Sequence, residues 1–204
     1  MKIKKYIQFL KESSDYSLGC VMIEVDVKNW KEICSYIQPE DVYYDPQDPT
    51  YGIQENPHVT LFYGFHKEVT TEQVSDIIDD VMYEWRNQGL EDFDYNDVSD
   101  RIAIEHASDK PIEIEIDGID IFENDKFDVV KFNVVKTDIL QKLFDALSKL
   151  PNSNEYPDYK PHMTIAYVKS GTGKKYVKPV YKHKFESNTL CYSKPSGEKI
   201  YFEI

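Results

Sequence analysis

The sequence is poor in cysteine, glycine and positive charge, and it has no long apolar run. Its 204 residues include three cysteines, Cys20, Cys34 and Cys191, widely spaced and with no CxxC. An odd and scattered set of this kind builds neither a disulfide framework nor a zinc site, so reduced and partly buried thiols are expected. No segment approaches the ~18 apolar residues that span a bilayer. The basic start, Met1-Lys2-Ile3-Lys4-Lys5-Tyr6, is followed by no apolar stretch of signal-peptide length. No secretory signal is expected, and the location is read as cytoplasmic. Lysine and arginine number 24 against 37 acids, a net charge of −13. That imbalance argues against bulk DNA or RNA, whose affinity comes mostly from phosphate neutralisation, and against an anionic membrane surface. A small phosphorylated ligand in a local pocket stays open.

What is present points to an ordered chain. Apolar residues make up 41% and charged residues 30%, with sixteen tyrosines and ten phenylalanines. This length suits one domain, or two small lobes sharing a core. Ile3, Ile7 and Leu10 predict a short amphipathic helix over 3–13. Cys20 to Val27 reads as a strand, and Asn29 as the cap of a helix from Trp30 to Ile37. Residues 39–57 form a long loop with four prolines and three tyrosines, Tyr43, Tyr44 and Tyr51. Val59 to Tyr63 reads as a strand, and Thr70-Thr71-Glu72-Gln73 as a capping box opening a helix to about Asn87. An acidic insert occupies about 89–110. Residues 111–122, PIEIEIDGIDIF, alternate strictly and predict a strand whose hairpin partner is Phe127 to Val135. Thr137 is expected to cap a helix through Leu150. Met163 to Val168 and two late segments, Phe185–Tyr192 and Lys199–Ile204, complete the strands. With no dominant parallel βαβ pattern, the fold class is α+β with mostly antiparallel sheets, a single two-lobed unit over 1–204.

Two segments match each other. Pro57-His58-Val59-Thr60-Leu61 and Pro161-His162-Met163-Thr164-Ile165 share Pro-His-apolar-Thr-apolar, and Tyr63 and Tyr167 follow two residues later. Two such matches arise by chance with a probability below ~10⁻⁴. On a strand, residues i and i+2 share a face about 6.7 Å apart. His58 and Thr60 therefore point one way while Val59 and Leu61 point into a core, and His162 and Thr164 do the same against Met163 and Ile165. Two imidazoles and two hydroxyls in one cleft suit phosphodiester transfer without a metal. One neutral imidazole takes a proton from the attacking oxygen, and the protonated one gives a proton to the leaving oxygen. Threonine hydroxyls donate to the non-bridging phosphate oxygens, where charge develops.

The doubled motif resembles the two-histidine (2H) phosphoesterase superfamily, which includes bacterial RNA-ligase-like proteins and cyclic phosphodiesterases. That resemblance implies a two-lobed, pseudo-symmetric α+β fold with the histidine motifs on facing strands. It carries a catalytic role to His58, Thr60, His162 and Thr164, with no cofactor and no metal. Ser13-Ser14-Asp15-Tyr16-Ser17, Phe122-Glu123-Asn124-Asp125-Lys126 and Tyr156-Pro157-Asp158-Tyr159-Lys160 resemble phage-encoded anti-CBASS phosphodiesterases, which degrade cyclic oligonucleotide alarm signals. By that similarity the substrate is a small cyclic di- or trinucleotide. Tyr16 would then hold ligand, together with a late acid, Glu198 or else Glu186, and a late aromatic for which Phe202 is the candidate.

Other features carry alternatives. Lys169, Lys174, Lys175, Lys178, Lys182 and Lys184 reverse the sign of the charge locally, and read either as a flexible basic flap for a phosphorylated ligand or as a solvated loop. Tyr43, Tyr44 and Tyr51 read as base-stacking groups or as loop packing. His66, His106 and His183 have no motif partner. Two further functions remain in view: processing of 2′,3′-cyclic phosphate ends on RNA or ADP-ribose derivatives, and sequestration of a nucleotide without cleavage.

Overall fold

The computed structural model describes residues 2–5, 18–48, 50–88, 97, 99 and 110–204, and among these apolar–polar alternation builds nine strands. The strands are β1 (Lys2–Lys5), β2 (Gly19–Glu24), β3 (His58–Phe65), β4 (Ile112–Glu123), β5 (Phe127–Val134), β6 (His162–Lys169), β7 (Lys178–Ser187), β8 (Thr189–Ser193) and β9 (Lys199–Glu203). The helices are α1 (Trp30–Ser35), α2 (Thr71–Arg86) and α3 (Asp138–Leu147). One sheet has the order β1-β9-β8-β2-β3 and the other β6-β5-β4-β7, with antiparallel pairings throughout. This is the α+β antiparallel architecture expected from the sequence.

Each sheet packs one face into the helix-covered core. In the first, Val21, Ile23, Val59, Leu61, Leu190, Tyr192, Ile200 and Phe202 are buried. In the second, Ile112, Ile114, Ile116, Phe132, Met163 and Ile165 are. Helices cover these faces. Trp30 of α1 packs on Phe132, ring centroids 6.3 Å apart, and Phe144 of α3 packs on Phe62 at 5.5 Å. Among the described residues no helix is long and apolar enough to cross a membrane.

The two motif strands occupy sheet edges, and β3 packs against β6. An open edge is a template for unwanted pairing. The loop at 39–57 covers that of β6: Val42 bridges Val168, Ile53 bridges Ala166, and Tyr43 N–H donates to the Tyr167 carbonyl at 3.0 Å. At the end of β3, Gly64 has φ of 114°, and a Cβ there would stand 3.0 Å from Asn154 N. Only glycine lets the segment after α3 pass this close.

Several local expectations change. Residues 2–5 form a strand, not the start of a helix, because pairing with β9 satisfies their backbone where a short isolated helix would be marginal; the rest of the predicted 3–13 helix lies outside the described residues. The capping box of α2 is present on Thr70 and Gln73. Asn29 and Thr137 precede helices but make no side-chain cap, and the Thr137 hydroxyl is buried without a partner. Packing, not capping, starts those helices. Lys178–Ser187 is a ten-residue strand, longer than the segment read from Phe185, since pairing with β4 recruits the lysines. All three cysteines are free thiols, Cys34 and Cys191 buried. Of the acidic insert, only Asp97, Ser99 and Lys110 are described.

Leu140 is fully buried on α3. Leu140→Ala is expected to cost about 2–5 kcal/mol, from lost transfer energy plus the cavity left behind. The check is the urea midpoint, which should fall with an unchanged slope.

Candidate active site

His58 opens β3 and His162 opens β6, each behind a proline. Pro57 and Pro161 are equivalent in detail. The carbonyl of each accepts from a neighbouring segment, Val25 N–H at 3.1 Å and Val134 N–H at 3.2 Å, so strand pairing begins at a residue that has no N–H to offer. Proline also pushes the residue before it into extended backbone. The carbonyl of that preceding residue meets the histidine ring. His58 Nδ1 lies 2.9 Å from the Asn56 carbonyl oxygen, and His162 Nδ1 lies 2.9 Å from that of Lys160. A carbonyl only accepts, so each Nδ1 carries the proton and Nε2 is the ring atom left to exchange one.

Alternation then does what the pattern predicts. Val59, Leu61, Met163 and Ile165 are buried, while His58, Thr60, His162 and Thr164 are half-buried on the opposite face. The two imidazoles are close enough for the charge of His58 to depress the pKa of His162. Tyr159, stacked on Phe144 at 4.8 Å, donates its hydroxyl to the Thr60 carbonyl at 3.3 Å and so ties the approach to β6 onto β3.

Burial holds both histidines below the ordinary imidazole pKa, and the carbonyl bonds oppose that shift. Their charged neighbours differ. His58 faces Glu24, its register partner on β2, and Lys199 at the start of β9. Lys199 lowers its pKa and Glu24 raises it. His162 faces Asn133, its register partner on β5, and the ammonium of Lys131, which lowers its pKa. The ring of Phe122 meets that of His162 edge-on, centroids 5.0 Å apart. The sequence reading missed Lys131, Glu24, Lys199 and Phe122. The available signal was a charge in a largely apolar strand, Lys131 in the middle of FDVVKFNV and Glu24 at the end of GCVMIE.

Tyr16 and His106 lie outside the described residues. Glu198 sits in the turn between β8 and β9, its carboxylate 3.0 Å from Lys194 Nζ. Glu186 is exposed on β7, the outer strand of the second sheet, opposite Glu113. Phe202 is fully buried on the helix-covered face. Its neighbour Tyr201 takes the other face, hydrogen-bonded to Glu24 and Cys191. Tyr43 and Tyr51 pack edge-on at 5.2 Å and close with Phe127 and Tyr167 into one aromatic cluster, so loop packing accounts for them; Tyr44 is exposed. His66 bonds Ser153, and His183 packs on Phe185.

The lysine segment is not a free basic flap. Lys174 pairs with Glu123 at 2.8 Å, Lys175 with Asp41, and Lys184 with Glu113 at 2.8 Å. Lys169 donates to the Glu40 carbonyl, and Lys178 lies over the Tyr36 ring. In a chain with excess acid, Lys174, Lys175 and Lys184 find internal carboxylates. Among the described residues no group of three His, Cys, Asp or Glu side chains is placed to hold a metal ion.

Residues 26–190 match the model of the 2′-5′ RNA ligase superfamily. No curated protein sequence matches the chain. Usb1 of Kluyveromyces marxianus has a similar structure, with a TM-score of 0.51, 10% identity, and coverage of 92% of this chain and 98% of that one. The same protein with uridine monophosphate gives 0.51, 9%, 94% and 100%. Escherichia coli LigT complexed with 3′-AMP gives 0.48, 11%, 92% and 95%. The two Usb1 likenesses speak to the fold alone. The family match spans most of the chain, and the chain belongs to the 2′-5′ RNA ligase superfamily.

Proposed function

We propose that the protein is a metal-independent phosphodiesterase acting on cyclic di- or trinucleotides. The observation that carries the chemistry is the pair of imidazoles, each fixed through Nδ1 to a carbonyl and each with a threonine two residues on. One Nε2 takes the proton of the attacking oxygen, a ribose 2′-hydroxyl or water, as that oxygen bonds to phosphorus. The other, protonated, gives its proton to the leaving ribose oxygen as the phosphorus–oxygen bond breaks. Thr60 and Thr164 donate to the non-bridging oxygens, where negative charge grows.

The net charge of −13 supports a compact substrate. A long strand carries charge well beyond the ~8 Å over which salt screens the rest of the surface. Lys174, Lys175 and Lys184, each paired with a carboxylate, add little to long-range attraction. The sequence resemblance to anti-CBASS enzymes supports a cyclic oligonucleotide signal of bacterial immunity as that substrate. A second reading follows from the family match, whose description names RNA: cleavage of 2′,3′-cyclic phosphate ends. The separating experiment offers a panel of cyclic di- and trinucleotides and a 20-mer RNA ending in a 2′,3′-cyclic phosphate at equal concentration. Faster turnover of a cyclic oligonucleotide supports the first reading. Faster turnover of the RNA replaces it with the second, and tight binding with no turnover points to sequestration.

The same assay with excess EDTA should give undiminished rates, because two imidazoles supply the proton transfers that a metal-bound water would otherwise make. Loss of activity restored by Mg²⁺ or Mn²⁺ contradicts the mechanism. His58→Ala and His162→Ala should each lower kcat at least ~10²-fold, and the double variant should lose far less than the product of the two. Near-full activity in either single variant would remove that histidine from the chemistry.

The pH profile follows from the direction of the shifts. Activity needs one ring protonated and one neutral. Both pKa values are depressed by burial. The profile of kcat/KM, which reports the free enzyme, should therefore peak below the ordinary imidazole value of ~6.5 and fall as pH rises through neutrality. A peak above ~7 would contradict the burial of the pair.

A further inference from the structure

Lys131 is a buried cation that the fold alone does not explain. It lies on β5 directly across from Thr164, and its other register partner is Asp120 on β4. Its side chain is 5% exposed. The ammonium donates to Asn133 Oδ1 at 2.5 Å and lies 4.4 Å over the Phe122 ring, the ring that also meets His162. Asp120 Oδ2 is 4.0 Å away and half exposed, beyond hydrogen-bond reach.

An ammonium has three donors. Among the described residues, Asn133 alone stands within hydrogen-bond distance of this one. Burying a charge with so few partners is costly. Burial accordingly lowers the pKa of Lys131, and Asp120 only partly opposes it. An apolar residue would pack in this strand between Val130 and Phe132 without that cost. The remaining donors lie on the sheet face that carries Thr164 and His162, where an anion would complete their coordination.

We propose that Lys131 is a catalytic residue, its ammonium holding a non-bridging oxygen of the substrate phosphate beside Thr164 and opposing the negative charge that grows there in the transition state. This rests on the phosphodiesterase reading above. The cation is one that the paired motifs do not encode, since it comes from the strand beside the second motif. The first motif has Met22 at the matching place, across from Thr60.

The test has two arms. In the first, Lys131→Met and Lys131→Arg are assayed on the cyclic dinucleotide or cyclic-phosphate RNA that the wild type cleaves, with thermal unfolding run alongside. Methionine should lower kcat ~10²–10³-fold with a smaller change in KM, because the contact strengthens in the transition state, and arginine should restore part of the loss. The limb of the pH profile that His162 sets should also move up in the methionine variant. The charged groups facing His162 are Lys131 on β5 and His58 on β3, and removing Lys131 lifts a cation from its field. Folded Lys131→Met with kcat within about 3-fold of wild type overturns the proposal. The second arm needs neither a variant nor turnover. The Lys131 Cε signal of the wild type is followed by NMR as inorganic phosphate is added. Saturable movement together with a rise in the Lys131 pKa supports the proposal, and an indifferent signal overturns it. Should the wild type cleave neither substrate, the phosphodiesterase reading falls, and the phosphate titration still decides whether Lys131 holds an anion.

Discussion

The bond from each histidine Nδ1 to the carbonyl two residues before it is the interaction on which the site depends. It fixes the tautomer, turns Nε2 toward the shared face and holds the ring against rotation. Proline makes it available. Pro57 and Pro161 start their strands in extended backbone, set the preceding carbonyl beside the ring, and offer their own carbonyls to Val25 and Val134. The same short device appears at the edge of both sheets. Packing β3 against β6 brings the two copies within range of one another's charge.

Symmetry of the backbone does not extend to the neighbours. His58 shares its surroundings with Glu24 and Lys199, and His162 with Lys131, Asn133 and Phe122. An acid–base pair needs two groups of one chemical type to hold different protonation states at one pH. Placing like rings in unlike fields is a direct way to separate them. Burial depresses both, so the phosphodiester monoanion arriving between them would draw protons back toward the rings.

Much of this was legible in the sequence. Alternation through PIEIEIDGIDIF, slipping by one residue at Gly118 where the register of β4 shifts, gave an inner strand of the second sheet, and the doubled Pro-His-apolar-Thr-apolar pattern gave the face of every motif residue. Charge pairing was not legible. Lys174, Lys175 and Lys184 looked like a basic flap because their partners, Glu123, Asp41 and Glu113, are between 51 and 134 residues away in the chain. Phe202 and Tyr201 show how one step of register decides a role, since adjacent residues on β9 face the core and the cleft. Lys131 was hidden for the opposite reason. It sits in a strand read for its apolar content, and only the pairing of β5 with β6 puts it beside Thr164.

The central claim is that both rings are Nδ1–H tautomers with Nε2 as the proton-exchanging atom, titrating below the ordinary imidazole value. It is tested most directly by ¹⁵N NMR of the histidine ring nitrogens across a pH titration, with His58 and His162 assigned by substitution. The account predicts that each ring, once neutral, keeps its proton on Nδ1, and that both midpoints lie below ~6.5. A neutral ring protonated on Nε2, or either midpoint above that value, would contradict it.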